Sequence, residues 1–134
     1  MFRTAITPRV NETDGAGHIN NTIAPQWFEA GRLEIFRILT PDLDFARWRA
    51  ALVNVNIDYT AQIYFGHDCL VETWIERIGS KSFTVGERIL QRGEVCAEGT
   101  ATYVYFVYET NESAVIPEDI RAALAAHQGK PDDP

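Results

Sequence analysis

Ala24-Pro25-Gln26-Trp27-Phe28-Glu29-Ala30-Gly31-Arg32-Leu33-Glu34-Ile35-Phe36-Arg37-Ile38-Leu39 is the one stretch of this sequence with a sustained helical period. Ala24, Phe28, Gly31, Ile35 and Ile38 recur at spacings of 3 and 4, which is the signature of one face of a helix. Trp27, Leu33, Phe36 and Leu39 add apolar surface on the neighbouring faces. Gln26, Glu29, Arg32, Glu34 and Arg37 are left for water. A helix this apolar is predicted to be long, single and largely buried. Pro25 suits its first turn, and Thr40-Pro41 stops it.

What buries it is a sheet. Val53, Val55, Ile57 and Tyr59 alternate with Asn54, Asn56, Asp58 and Thr60, predicting a strand with one buried and one polar face. Cys69, Val71, Thr73 and Ile75 alternate in the same way with Leu70, Glu72, Trp74 and Glu76. Phe83 to Gln91 reads as a third long strand, Arg92-Gly93 as a hairpin turn and Val95 to Tyr108 as a fourth. Phe2 to Thr7 reads as a short strand ahead of the helix. Pro117 opens a short C-terminal helix, Glu118 to His127, and the Pro/Asp tail is expected to fray. Strands joined by short turns pair antiparallel. A strand of about 10 residues spans roughly 33 Å and a helix of about 15 residues roughly 23 Å, so the sheet can wrap the helix. The expectation is an α+β chain: an antiparallel five-stranded sheet round one long central helix.

The 134 residues amount to one domain, 1–134. Apolar residues make up 46% and charged residues 23%, which excludes a disordered chain. The longest apolar or aromatic run is Tyr103 to Tyr108, far short of the ~18 residues of a membrane helix. The N-terminus shows no apolar signal core, so a cytoplasmic location is expected. There Cys69 and Cys96 are expected to be reduced thiols within strands. The 19 acidic against 12 basic residues, a net charge of −7, make this a poor nucleic-acid binder. No Cys/His cluster has metal-ligand spacing. No metal and no cofactor is expected.

Directly before the helix stands Glu12-Thr13-Asp14-Gly15-Ala16-Gly17-His18-Ile19-Asn20-Asn21. It gathers acids, an imidazole, two amides and two glycines at the end of a buried helix. That end carries unpaired N–H groups and about half a positive charge, which stabilises an oxyanion developing on a carbonyl. An ionised Asp14 beside that carbonyl can attack it or take a proton from water. The plainer reading makes Asp14, Asn20 and Asn21 turn and capping residues and His18 a loop histidine.

This run, continued by Trp27-Phe28-Glu29-Ala30-Gly31-Arg32, resembles the hotdog-fold thioesterases of the 4-hydroxybenzoyl-CoA thioesterase type. Ile78-Gly79-Ser80-Lys81-Ser82-Phe83 resembles that family's turn between two central strands. The resemblance spans Phe2 to about Tyr108. It implies hydrolysis of an acyl-CoA or acyl-carrier-protein thioester, with the thioester as substrate. Asp14 matches the catalytic carboxylate, as nucleophile or general base. The oxyanion donors implied are backbone N–H groups around Asn21 and Thr22, with His18 and Asn20 orienting thioester or water. Gly17, Arg77, Lys81 and Ser82 are the candidate substrate- or CoA-binding residues. The family often has Tyr-Leu where this chain has Ala24-Pro25, which reshapes the acyl pocket.

Glu29 is a second candidate acid. It precedes Arg32 by three residues, a spacing that also fits a plain structural ion pair. Arg77, Lys81, Arg88 and Arg92 form a local basic island that suits CoA phosphates or simply solvated strand edges. The resemblance implies a homodimer or homotetramer with the site between subunits. Val95 to Tyr108, read as an exposed edge, is the strand expected to pair. A hotdog hydratase or dehydratase and a non-catalytic acyl-CoA-binding dimer are the alternatives. The first lacks a His-plus-acid pair on the helix.

Overall fold

The computed structural model describes residues 1–134. Five main strands form one antiparallel sheet: β1 (Phe2–Ile6), β2 (Ala50–Tyr59), β3 (Cys69–Ile78), β4 (Ser82–Gln91) and β5 (Glu94–Val107). Their order is β1-β3-β4-β5-β2, and a two-residue sixth strand, β6 (Glu112–Ser113), pairs with the end of β5. The helices are α1 (Ala24–Gly31), α2 (Leu33–Leu39) and α3 (Glu118–Ala125). This is a hotdog-like α+β fold, a curled sheet packed round helices. None of its helices is long and apolar enough to cross a membrane.

The expected single long helix is two short ones, broken at Arg32 (φ −90°, ψ 0°). The cause is close packing followed by a buried charge. A Cβ on Gly31 would lie 2.6 Å from Val71 Cγ1, so the backbone there is pressed against the sheet. The next residue turns its guanidinium inward. Arg32 Nε and Nη2 donate to Glu87 Oε2 and Oε1 at 2.9 and 2.5 Å, and Nη1 donates to the Tyr103 hydroxyl at 3.1 Å. Helical spacing had placed Arg32 among the watered positions with Glu29 as its partner. Its partner is Glu87 on β4, and both side chains are buried.

The core divides along the same break. Phe28 and Trp27 of α1 pack with Ile19, Val71 and Ile89, and Ile35 and Leu39 of α2 pack with Phe83, Val85 and Leu124. The segment before the helix is therefore anchored to one end of the sheet. The C-terminal tail, expected to fray, makes contacts with the sheet. The Ile75 N–H donates to His127 O at 2.9 Å, the Gly129 N–H to Ile75 O at 3.1 Å, and Arg88 Nη2 to Asp132 O at 2.7 Å.

The strand expected at the edge is internal: β5 lies between β4 and β2. The edges are β1 and β2, and β2 is not half-buried as its alternation predicted. Its pairing with β5 steps over Val53, between Leu52↔Tyr103 and Asn54↔Thr102. This bulge puts Ala50, Leu52, Val55, Ile57 and Tyr59 on one inner face, opposite Tyr105, Tyr103, Ala101, Gly99 and Ala97. Helix α1 packs on β1, β3 and β4, which leaves that face of β2 uncovered. Leu52, Val55 and Tyr59 are accordingly 49%, 39% and 49% exposed.

Candidate active site

The loop before α1 is a small hairpin. Thr13 bridges Ile19, the Asp14 N–H donates to His18 O at 2.9 Å, and the Asn20 N–H donates to Glu12 O at 2.9 Å. Gly15 and Gly17 make its tip at φ +90° and +85°, where a side chain is strained. Asp14 Oδ1 accepts the Ala16 N–H at 2.9 Å, and its Oδ2 lies 3.7 Å from His18 Nδ1. The two side chains are 40% and 37% exposed. The hairpin thus presents a carboxylate and an imidazole together, open to a ligand.

Two buried side chains hold it. Glu12 accepts the Arg9 N–H at 2.7 Å and the Trp27 indole N–H at 2.9 Å, tying the loop's first stem to α1. The second stem is zipped to residues 63–65. Ile19 N–H donates to Ile63 O at 2.7 Å, Phe65 N–H donates to Gly17 O at 2.8 Å, and the Tyr64 ring stands edge-on to His18 at 5.1 Å. Gln91 at the end of β4 fixes that segment. Its Oε1 accepts the Tyr64 N–H at 2.9 Å, and its Nε2 donates to Tyr64 O and His67 O at 2.7 and 2.9 Å.

At the helix start, Asn20 Oδ1 accepts the Thr22 N–H at 2.9 Å and the Thr22 hydroxyl at 2.8 Å. The Tyr59 hydroxyl donates to Asn21 O at 2.5 Å. The Thr22 N–H is therefore spent on a side chain. The N–H groups without an acceptor are those of Asn21 and Ala24, and Pro25 has none to offer. They border a cavity of about 370 Å³ lined by Ile19, Asn20, Tyr59 and Gln62 among others. Unpaired N–H groups facing a cavity at a helix start suit an anion.

The other expected site residues are spread out. Glu29 is exposed on α1 without an ion-pair partner. Arg77, Lys81 and Ser82 sit together at the β3–β4 hairpin, which α3 holds through Arg121 donating to Gly79 O at 2.8 Å, at the far end of the sheet from the Gln91 end that fixes the loop. Arg92 caps the opposite hairpin. Arg88 is buried and donates from Nε to Glu72 Oε1 at 2.8 Å. The four members of the basic island do not converge within one chain. Cys69 and Cys96 are free and buried. Burial pushes the Cys69 thiol up to about 12 and raises that of Cys96, so neither is a thiolate nucleophile at neutral pH.

The loop that carries Asp14 thus leads into a helix start with two unpaired N–H groups, and the sheet curls round that helix. The profile of the thioesterase-like superfamily matches residues 8–124. The chain belongs to the thioesterase-like superfamily. It is similar in structure to a predicted thioesterase from Bacillus stearothermophilus, with 53% identity, 98% of both chains covered and a TM-score of 0.94. It is 26% identical over 108 residues to a candidate acyl-CoA thioesterase of Bacillus subtilis (strain 168), YneP, covering 78% of each. A thioesterase from Thermus thermophilus, complexed with coenzyme A and Zn, shares its fold at TM-score 0.83 and 24% identity, over 92% of this chain and 96% of that one.

Two predictions concern how this thioesterase-like chain holds its loop. Burial by itself would raise the Glu12 carboxyl, but hydrogen bonds from Trp27 and Arg9 outweigh it and hold the group below its ordinary value. A depressed folded pKa stabilises above the unfolded value, about 4.3 for Glu, and that stabilisation is lost as pH falls through the folded value. Glu12→Gln is therefore expected to cost about 1–2 kcal/mol at about neutral pH. The gap from the parent narrows below about pH 4, as read by urea unfolding at both pH values. Gln91→Leu removes three hydrogen bonds to the segment beside His18. It is expected to cost about 1–3 kcal/mol and to speed exchange of the Ile19 and Phe65 amides, measured by hydrogen–deuterium exchange.

Proposed function

We propose that this chain is a cytoplasmic acyl-CoA thioesterase, hydrolysing the thioester to a free acid and CoA with Asp14 as nucleophile or general base. The observation that carries it is Asp14 itself: a solvent-open carboxylate that accepts the Ala16 N–H, with His18 Nδ1 3.7 Å from its other oxygen. It rides on a loop that runs straight into two free N–H groups at the helix start. As a base, Asp14 Oδ2 takes a proton from water, whose oxygen adds to the thioester carbon. The Asn21 and Ala24 N–H groups receive the oxyanion. The C–S bond then breaks and the proton passes to the departing thiolate. As a nucleophile, Asp14 forms a mixed anhydride with release of CoA thiolate, and water then cleaves the anhydride. His18 orients the carboxylate, Asn20 the helix start, and Gly17 the hairpin tip. The motif favours the 4-hydroxybenzoyl-CoA thioesterase type. The naming of similar proteins as thioesterases, one of them bound to coenzyme A, supports the chemistry.

The chain acts as a homodimer, or a tetramer made of two. β2 is a free edge, and its Tyr59 end lies beside Asn21 while its Ala50 end lies beside Tyr105, whose N–H donates to Lys81 O. Antiparallel pairing of two β2 edges sets the Arg77–Ser82 turn of a second copy near the first copy's helix start. Arg77, Lys81 and Ser82 of the second copy then meet the CoA phosphates. The test is thiol release from a panel of acyl-CoA and acyl-carrier-protein thioesters. Turnover of at least one is expected. Tight CoA binding with no turnover of any would replace this reading with a non-catalytic binding dimer.

A further inference from the structure

From the last residue of β2 the Tyr59 hydroxyl crosses to the helix start and donates to Asn21 O at 2.5 Å. The strand end that carries it is fixed to β5. The Thr60 and Ala61 N–H groups both donate to Cys96 O, at 2.9 and 3.1 Å, and the Thr60 hydroxyl donates to Val95 O at 3.1 Å. A carbonyl oxygen only accepts, so the hydroxyl proton is committed to Asn21. Tyr59 has none left for an oxyanion or a departing thiolate. What matters is the residue it holds. Asn21 carries an unpaired N–H on one side and this carbonyl on the other. The peptide that bears the free N–H is fixed through its own carbonyl, since Asn20 O accepts the Ile23 N–H at 2.9 Å. The next peptide, Asn21–Thr22, is held at both ends: its carbonyl by Tyr59 and its N–H by Asn20 Oδ1 at 2.9 Å. Asn21, Ala24 and Tyr59 line the cavity of about 370 Å³ together. An uncovered Asn21 oxygen would put the negative end of a peptide dipole beside an incoming anion. With the phenol on it, that oxygen is held and its charge is offset.

We propose that Tyr59 is a positioning residue for the reaction: it clamps the Asn21–Thr22 peptide, so that the Asn21 N–H stays aimed, beside that of Ala24, at the oxyanion. The inference rests on the reading above, in that those two N–H groups receive the oxyanion. The clamp acts on the transition state more than on the bound thioester, because full negative charge on the carbonyl oxygen develops only there. It is built before substrate arrives, from a strand end and a loop already fixed to the sheet, so no reorganisation is spent at the moment of reaction. Burial raises the phenol above its ordinary value, so the proton that makes the bond stays in place throughout the neutral range.

The experiment compares the parent with Tyr59→Phe, which keeps the ring at a half-exposed position and removes only the hydroxyl. The substrate is a CoA thioester that the parent hydrolyses. In Tyr59→Phe, kcat is expected to fall by about ten- to hundredfold, with KM within about twofold of the parent. Kd for an uncleavable S-alkyl-CoA thioether, which has no carbonyl, is expected to be unchanged in calorimetry. Asn20→Ala releases the other end of the same peptide and is expected to lower kcat as well. The double variant should lose less than the product of the two losses, because both act through one peptide. A parent-like kcat in Tyr59→Phe would overturn the clamp and leave the hydrolase standing. A loss carried wholly by KM, or losses that multiply in the double variant, would overturn it too. So would a lowered urea midpoint with kcat per folded molecule unchanged, the mark of a merely structural tyrosine. A parent that hydrolyses no thioester would remove the hydrolase, and with it the part of Tyr59 in the reaction.

Discussion

Asp14→Asn is expected to lower kcat/KM on a CoA thioester by about 10²- to 10⁴-fold. The substitution is nearly isosteric, and the new amide oxygen still accepts the Ala16 N–H that Asp14 Oδ1 accepts now. The hairpin therefore keeps its turn, and unfolding in urea should shift by less than about 1 kcal/mol. What disappears is the negative charge that attacks the carbonyl or takes the water's proton. A thiol-release assay on parent and variant at equal concentration reads the loss. Parent-like hydrolysis by the variant would remove Asp14 from the reaction and turn attention to Glu29, the other open carboxylate along the same helix. Label from ¹⁸O-water found in the Asp14 side chain after a single turnover would identify the nucleophilic route, because a general base exchanges no oxygen.

The largest effect on stability is expected at the helix break. Glu87 is fully buried and Arg32 nearly so, at 0% and 2% exposure. Removing either charge strands the other in the core, which costs about 3–5 kcal/mol. Burial by itself would lower the Arg32 pKa, but Glu87 reverses this and holds the guanidinium firmly charged, so Glu87→Gln leaves a full cation facing a neutral amide. Arg32→Met strands the carboxylate and also takes the donor from the Tyr103 hydroxyl. The double variant Arg32→Met/Glu87→Met should be less destabilised than either single change, since a matched apolar pair leaves no lone charge. Urea unfolding of the three variants decides it. Single substitutions costing below about 1 kcal/mol would mean that water reaches the pair.

The contrast between these two sites shows what the sequence could carry. Asp14, His18 and Asn20 stand within one short run, so local chemistry together with the family resemblance could name them as candidates. The strands were legible from alternation and apolar content, β2 included, although no helix covers the inner face of β2. Arg32–Glu87 was not legible. The residues are 55 apart in sequence, and a polar residue at a helical spacing reads as solvent-facing unless its partner across the sheet is known. Gln91, Tyr59 and Tyr64 were missed for a related reason. They act through backbone groups of distant segments, and no sequence pattern records which main-chain carbonyl a glutamine will meet. The edge was misassigned because strand order is a matter of pairing, and a long apolar strand suits the middle of a sheet at least as well as its rim. Thr22 lost its place among the free donors to a side-chain hydrogen bond only two residues away, from Asn20.

The bulge at Val53 has a consequence for how such a chain can diversify. By absorbing one residue, it lets β2 show its apolar side inward both before and after the slip. The strand behaves as two rails laid end to end, Val55 to Tyr59 beside the helix start and Ala50 to Leu52 beside Tyr103 and Tyr105. Side chains on the second rail can change while the first keeps its alignment.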